Sequence, residues 1–217
     1  MTKKVTEDKQ NPRETDRRKL PSQQRARENV ERILNAAASL LEQKGYDHLT
    51  TISIAKEAGA SVGSVYQYFP NKHAIMFALF EQWLELDNEI LEAVENERHY
   101  DSVVDEFLAL TEKLVDAYKQ QDGQLAIVKL SQNIPELFEV QEKHDKKYAR
   151  RLTKIIDRYD LKASAEKKLA LAGYYTILVD AVSLSIAAET PKRARYKMEF
   201  LRNSVRQMFE PYINDEK

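Results

Sequence analysis

A chain of 217 residues that is 42% hydrophobic and 32% charged can fold as one large domain or a small one joined to a larger, and is too apolar for a disordered chain. Five glycines and six prolines argue against a turn-rich all-β architecture, and the lack of cysteine excludes a disulfide framework and thiolate chemistry. The net charge of −1 is unevenly spread, +4 over residues 1–72 and −5 over the remainder, so only the front is expected to meet a polyanion.

Residues 1–21 are polar and unpatterned, with Pro12, Pro21 and a basic cluster at Arg17, Arg18 and Lys19, and read as a flexible arm. No apolar core typical of a secretory signal occurs in the first 30 residues, and a cytoplasmic location is expected. From Ser22 the pattern is helical: Val30, Ile33, Leu34, Ala37, Leu40 and Leu41 form one apolar stripe that stops at Gly45. Two short helices follow. Thr50 or Thr51 caps the first, with Ile54, Ala55 and Ala58 inward and Gly59 ending it. Ser61 caps the second, whose Val65 and Phe69 face the same way. Two short helices a tight turn apart, packed on a longer one, make a helix-turn-helix unit over residues 22–72.

The second helix of such a unit enters the major groove of DNA by its N-terminal end. Small residues there, Ala60, Ser61, Gly63 and Ser64, permit close backbone approach. Hydroxyls of Thr51, Ser61, Tyr66 and Tyr68 suit phosphate oxygens, and Lys72 suits a phosphate clamp. Gln67 can pair with adenine, and Val62 can touch a thymine methyl.

Beyond Pro70, helical patterns recur at about 75–96, 101–120, 124–133, 135–158, 163–188 and 193–213, with no strand alternation. The expectation is an all-α chain of about nine helices, its second domain spanning residues 73–217. The stretch 169–188 has one charge, Asp180, and is long enough for a membrane span, but its scattered Tyr, Ser and Thr favour a helix buried on two faces. No membrane partner is expected. None of the four histidines follows a glutamate by three residues, and no nucleophile elbow, P-loop or dinucleotide fingerprint occurs. Neither catalysis, metal nor cofactor is expected.

The run ILNAAASLLEQKGYDHLTTISIAKEAGASVGSVYQYFPNK, residues 33–72, resembles the DNA-binding domain of the TetR family of bacterial transcriptional regulators. The resemblance rests on the combination of KGY, LTT, IAKEAG, GSVYQYF and the closing NK. It implies that Thr51, Ser61, Gly63, Ser64, Tyr66, Tyr68 and Lys72 occupy DNA-contacting positions. Ala60 departs from the valine frequent in the family. For the body the resemblance implies only further helices, a ligand cavity and a dimer face from the last two helices.

The expected function is a dimeric repressor that binds a palindromic operator in double-stranded DNA and leaves it when a small hydrophobic or amphipathic effector binds. One recognition helix covers too few base pairs for useful specificity, which calls for a homodimer. Trp83, Phe107, Tyr118, Phe138, Tyr174, Tyr175 and Asp180 are the candidate effector-pocket residues. Ala181, Ser185, Leu201, Val205, Met208 and Phe209 are the candidate dimer contacts, with Tyr196 on the same apolar face. The alternative is a non-catalytic helical adaptor whose front binds protein rather than DNA.

Overall fold

The apolar stripe of the first helix is realised in the computed structural model, which describes residues 24–97, 100–120, 124–131 and 134–213. The arm at 1–21 lies outside these. Gln24–Lys44 (α1) buries Val30, Ile33, Leu34, Ala37, Leu40 and Leu41 on one side. Nine helices and no strand occur among the described residues, and the chain divides into two compact units, after Leu79.

The front unit is built from short-range instructions. Gly45, at φ 77°, ends α1 ahead of a short turn at Tyr46–His48. Thr51–Glu57 (α2) opens on a reciprocal cap, in which the Thr50 side chain accepts from the Ser53 amide and the Ser53 hydroxyl accepts from the Thr50 amide. It closes on Gly59, at φ 61°: the Gly59 amide donates to the Lys56 carbonyl and the Ala60 amide to the Ala55 carbonyl. This double bond pattern needs a left-handed residue, and glycine supplies it without strain. Val62–Tyr68 (α3) starts on Ser61, whose hydroxyl accepts from the Ser64 amide at 3.0 Å. The Asn71 side chain likewise accepts from the Ala74 amide, at 2.9 Å, at the start of Lys72–Asn96 (α4). Ile33, Ala37, Leu49, Ile54, Ala55, Val65 and Phe69 are each at most 1% exposed. The first two turns of α4 group with this unit, so its boundary falls later than the break at Lys72 read from Pro70.

The rear unit holds the remainder of α4, then Val103–Gln120 (α5), Gln124–Ser131 (α6), Pro135–Ile156 (α7), Ala165–Ala187 (α8), Pro191–Phe209 (α9) and a closing turn at Glu210–Tyr212. Pro135 and Pro191 stand in the first turns of α7 and α9, where a missing amide proton costs nothing. α8 is central, packing on α5, α7 and α9. The Phe107 ring meets Tyr175 and Phe209 edge-on, each at 4.7 Å between centroids. Glu106 is buried but compensated, accepting from Arg158 and, at 2.6 Å, from the Tyr159 hydroxyl.

Two faces of the last helices correct the expected dimer contacts. Leu201, Val205 and Phe209 are at most 2% exposed and belong to the core of their own chain. Met208 packs half-buried against that core. The stripe legible in the sequence is thus the inward face of α9. The outward apolar face carries Tyr174 and Ile177 on α8 and Tyr196 and Phe200 on α9, all more than half exposed. Ala181 and Ser185 are exposed. By length and hydropathy α8 passes for a membrane span, yet it buries Ala172, Tyr175, Thr176, Val179, Ser183 and Ile186 within the bundle.

Candidate functional site

The front unit presents the N-terminal end of α3 to solvent. Ser61, Val62, Gly63, Tyr66 and Gln67 are exposed, and Thr51, Ser64 and Lys72 are half-buried. A Cβ on Gly63 would meet nothing closer than the Ser61 hydroxyl, at 3.8 Å. The fold itself therefore does not require glycine there, although glycine in a helix costs about 1 kcal/mol relative to alanine. A residue kept small on an open helix tip is what close approach of a second molecule demands.

The hydroxyls on this face are pre-aimed. Thr51 Oγ1 donates to the Tyr66 hydroxyl at 3.1 Å, tying α2 to α3 and leaving the Tyr66 proton free to point outward. Lys72 Nζ sits 4.1 Å from the centre of the Tyr46 ring, a cation–π contact that holds the ammonium at the start of α4. The Tyr46 hydroxyl is in turn 3.1 Å from His73 Nδ1. Burial, with Asp47 adding to it, raises the Tyr46 pKa, so the ring stays neutral beneath the lysine. Tyr46 and His73 were not singled out in the sequence; a tyrosine 26 positions before a lysine gives no local signal of contact. One expectation is corrected here. Tyr68 is 6% exposed and, like Val65 and Phe69, is buried rather than standing on the open face.

A second polar constellation lies inside the rear unit. Trp83 and Asp87 are one turn apart on α4, and both are buried. Tyr118 from α5 and Asp180 from α8 meet them. The Trp83 and Tyr118 ring centres are 6.2 Å apart. The Tyr118 hydroxyl stands 3.2 and 3.4 Å from the two Asp87 oxygens and 3.1 Å from Asp180 Oδ1. A phenol has one proton, so it can donate to only one of the two carboxylates at a time. Burial, then repulsion from Asp180, pushes the Asp87 carboxyl well above the usual range. Burial, then repulsion from Asp145, raises Asp180 to about 7. Buried Trp83 Nε1, Tyr148 Oη, His144 Nε2 and Ser183 Oγ have no hydrogen-bond partner among the described residues.

Of the residues expected to line a pocket, the structure brings Trp83, Tyr118 and Asp180 together. Phe107 and Tyr175 are spent on the core: the Tyr175 hydroxyl donates to the Phe107 carbonyl at 3.1 Å and lies 2.9 Å from Thr111 Oγ1. Phe138 and Tyr174 are each 56% exposed and do not join this buried cluster. Asp87 was not among the residues singled out. The spacing of four between Trp83 and Asp87 was the available signal, since it places both on one helix face.

These features agree with the comparisons with known proteins. The family described as bacterial regulatory proteins, tetR family, matches residues 33–79. An uncharacterized HTH-type transcriptional regulator of Bacillus subtilis, YvkB, is 30% identical over 142 residues, 65% of this chain and 70% of that protein. A fatty acid metabolism regulator protein of the same species is 31% identical over 96 residues, 44% of this chain and 48% of that protein. A TetR transcription regulator from Haloarcula marismortui has the same fold, with a TM-score of 0.67 over 87% of this chain and all of that one, at 16% identity. The chain belongs to the TetR family of bacterial regulators, as its sequence motifs implied. It is a DNA-binding transcriptional regulator, all-α, with an N-terminal helix-turn-helix.

Proposed function

We propose that this regulator is a homodimeric repressor, acting in the cytoplasm without catalysis, that grips a palindromic operator and is released by a small hydrophobic or amphipathic effector. The observation that carries the DNA half is Gly63: an open, exposed helix tip with glycine that the fold does not need. Ser61, Ser64, Tyr66, Thr51 and Lys72 grip phosphates on either side of it, while Gln67 and Val62 read base edges.

Pairing is proposed through the outward stripe of α8 and α9, with Tyr174, Ile177, Ala181, Ser185, Tyr196 and Phe200 meeting their symmetry mates. Gly173 lies beside this stripe, and a Cβ there would meet nothing within 4 Å, so close approach of a partner helix is again the reason for glycine. Tyr196 and Phe200 so exposed would be costly to leave in water.

The effector half rests on the buried cluster around Trp83, Tyr118 and Asp180. Trp83 stands eleven residues after Lys72 in α4, the helix that Lys72 opens. A ligand touching Trp83 thus acts on the helix that bears the phosphate clamp. It would favour a state whose two recognition helices no longer fit successive major grooves.

Fluorescence anisotropy with duplexes selected from genomic DNA tests this reading. Affinity should fall steeply with rising salt and survive only with both half-sites present. Salt-indifferent or undetectable binding at low salt would overturn it.

A further inference from the structure

We infer that Asp87 and Asp180 are the charge-recognition end of a site for a lipophilic organic cation, a protonated amine or quaternary ammonium carried on an apolar body. The inference rests on the reading of the rear unit as the effector-binding unit, and names the class of its effector.

Three independent observations lead to it. Two carboxyl groups from different helices converge on one phenol, which can donate to only one of them at a time. Among the described residues no cation is paired with either: the nearby Arg151 is held by Glu95 and Asn88. Finally, two further polar groups of aromatic residues beside the acids, Trp83 Nε1 and Tyr148 Oη, are buried and unpartnered, and both side chains are only 3% exposed.

Buried charge without a partner is costly, and buried polar groups are normally satisfied. A fold that only needed stability would place leucine and asparagine here. A bound cation supplies what both acids lack, the faces of Trp83, Tyr118 and Tyr148 attract it further, and the indole N–H and phenol O–H suit an acceptor on its body. An anionic effector would instead bring a third negative charge against two acids.

In the empty protein the acid pair retains a proton, which the cation displaces. The groups that set this balance are Asp87 on α4, Tyr118 on α5, His144, Asp145 and Tyr148 on α7, and Asp180 on α8. Affinity for the cation therefore rises as pH passes upward through the neutral range, then levels off. A neutral ligand shows no such rise.

The test is titration calorimetry of the full chain with three probes of one shape: naphthylmethylammonium, naphthylmethanol and naphthylacetate. The ammonium should bind about tenfold or more tightly than either of the others. Asp87→Asn and Asp180→Asn should each weaken the ammonium about tenfold while leaving the alcohol within about twofold. Equal or tighter binding of the alcohol or the acetate, or no measurable binding of the ammonium, overturns the inference, and the wild-type panel decides this even if a variant fails to fold. A separate arm adds each probe to the protein–DNA complex. If the alcohol or acetate releases DNA at least as effectively as the ammonium, the cation inference falls and the effector-released repressor stands. If the chain binds no DNA, the repressor reading itself falls.

Discussion

The two units treat their polar groups in opposite ways. In the front unit, hydroxyls bond to partners three residues away: Thr50 with Ser53, and Ser61 with Ser64. They close helix ends and stay at the surface. In the rear unit the polar groups come from helices far apart in the chain, Asp87, Tyr118 and Asp180, and meet where water is largely excluded. The front is satisfied by itself and ready to add a partner on its outside. The rear holds an internal mismatch that a partner would resolve. A reader of DNA needs a rigid pre-aimed surface, whereas a sensor needs an interior whose state changes when something enters.

The comparison can be broken at four places, taken from the largest expected effect. Phe107→Ala removes the ring shared by Tyr175 and Phe209 and should cost about 3–5 kcal/mol in urea unfolding, since the two remaining rings cannot close the gap. A loss under about 1 kcal/mol would mean that the rear core is not organised around this contact.

Asp180→Asn sharpens the contrast through pH. Its carboxyl, raised from 3.8 to about 7, holds a proton in the folded state that the unfolded state has released. The folded form therefore binds more protons across that window, and stability falls as pH rises through it. Wild-type protein should lose about 2 kcal/mol between about pH 4 and about pH 7, and the asparagine variant distinctly less. Identical slopes in denaturant melts would show that the pair is not strained.

Lys72→Ala tests the front. Affinity for all duplexes alike should drop about tenfold, and the log–log salt slope should shrink by about 1. Tyr46→Leu, which removes the ring under the ammonium, should reproduce part of this loss without altering charge. Gln67→Ala should instead relax preference at one base pair per half-site.

Thr50→Ala is the mildest. Losing the reciprocal cap should cost about 1 kcal/mol of front-unit stability and leave ligand affinity in the rear untouched. A change in ligand binding would show the two units to be energetically inseparable.

Much of the front was legible because its causes are local. Gly45 and Gly59, Thr50 and Ser61, and the 3–4 spacing of Ile33, Leu34, Ala37, Leu40 and Leu41 each act within a few residues, so sequence order already expresses them. Tyr68 is the exception, since a tyrosine at a helix end reads equally as a hydroxyl for solvent or a ring for the core. In the rear, helix positions were likewise readable, and the two prolines opened helices as their geometry requires.

What tertiary structure alone decided is which face meets what. Periodicity marks a stripe on α9 but cannot say whether Val205 and Phe209 meet the chain's own core or a second copy; packing on α5 and α8 assigned them to the core and left Tyr196 and Phe200 outward. The same holds for the acids. Asp87 and Asp180 are 93 positions apart, and only the convergence of α4, α5 and α8 around Tyr118 turned two ordinary aspartates into one pair that shares a phenol. Local bonding is written in neighbouring residues, but burial of charge depends on distant elements arriving at one place, and linear order does not encode that.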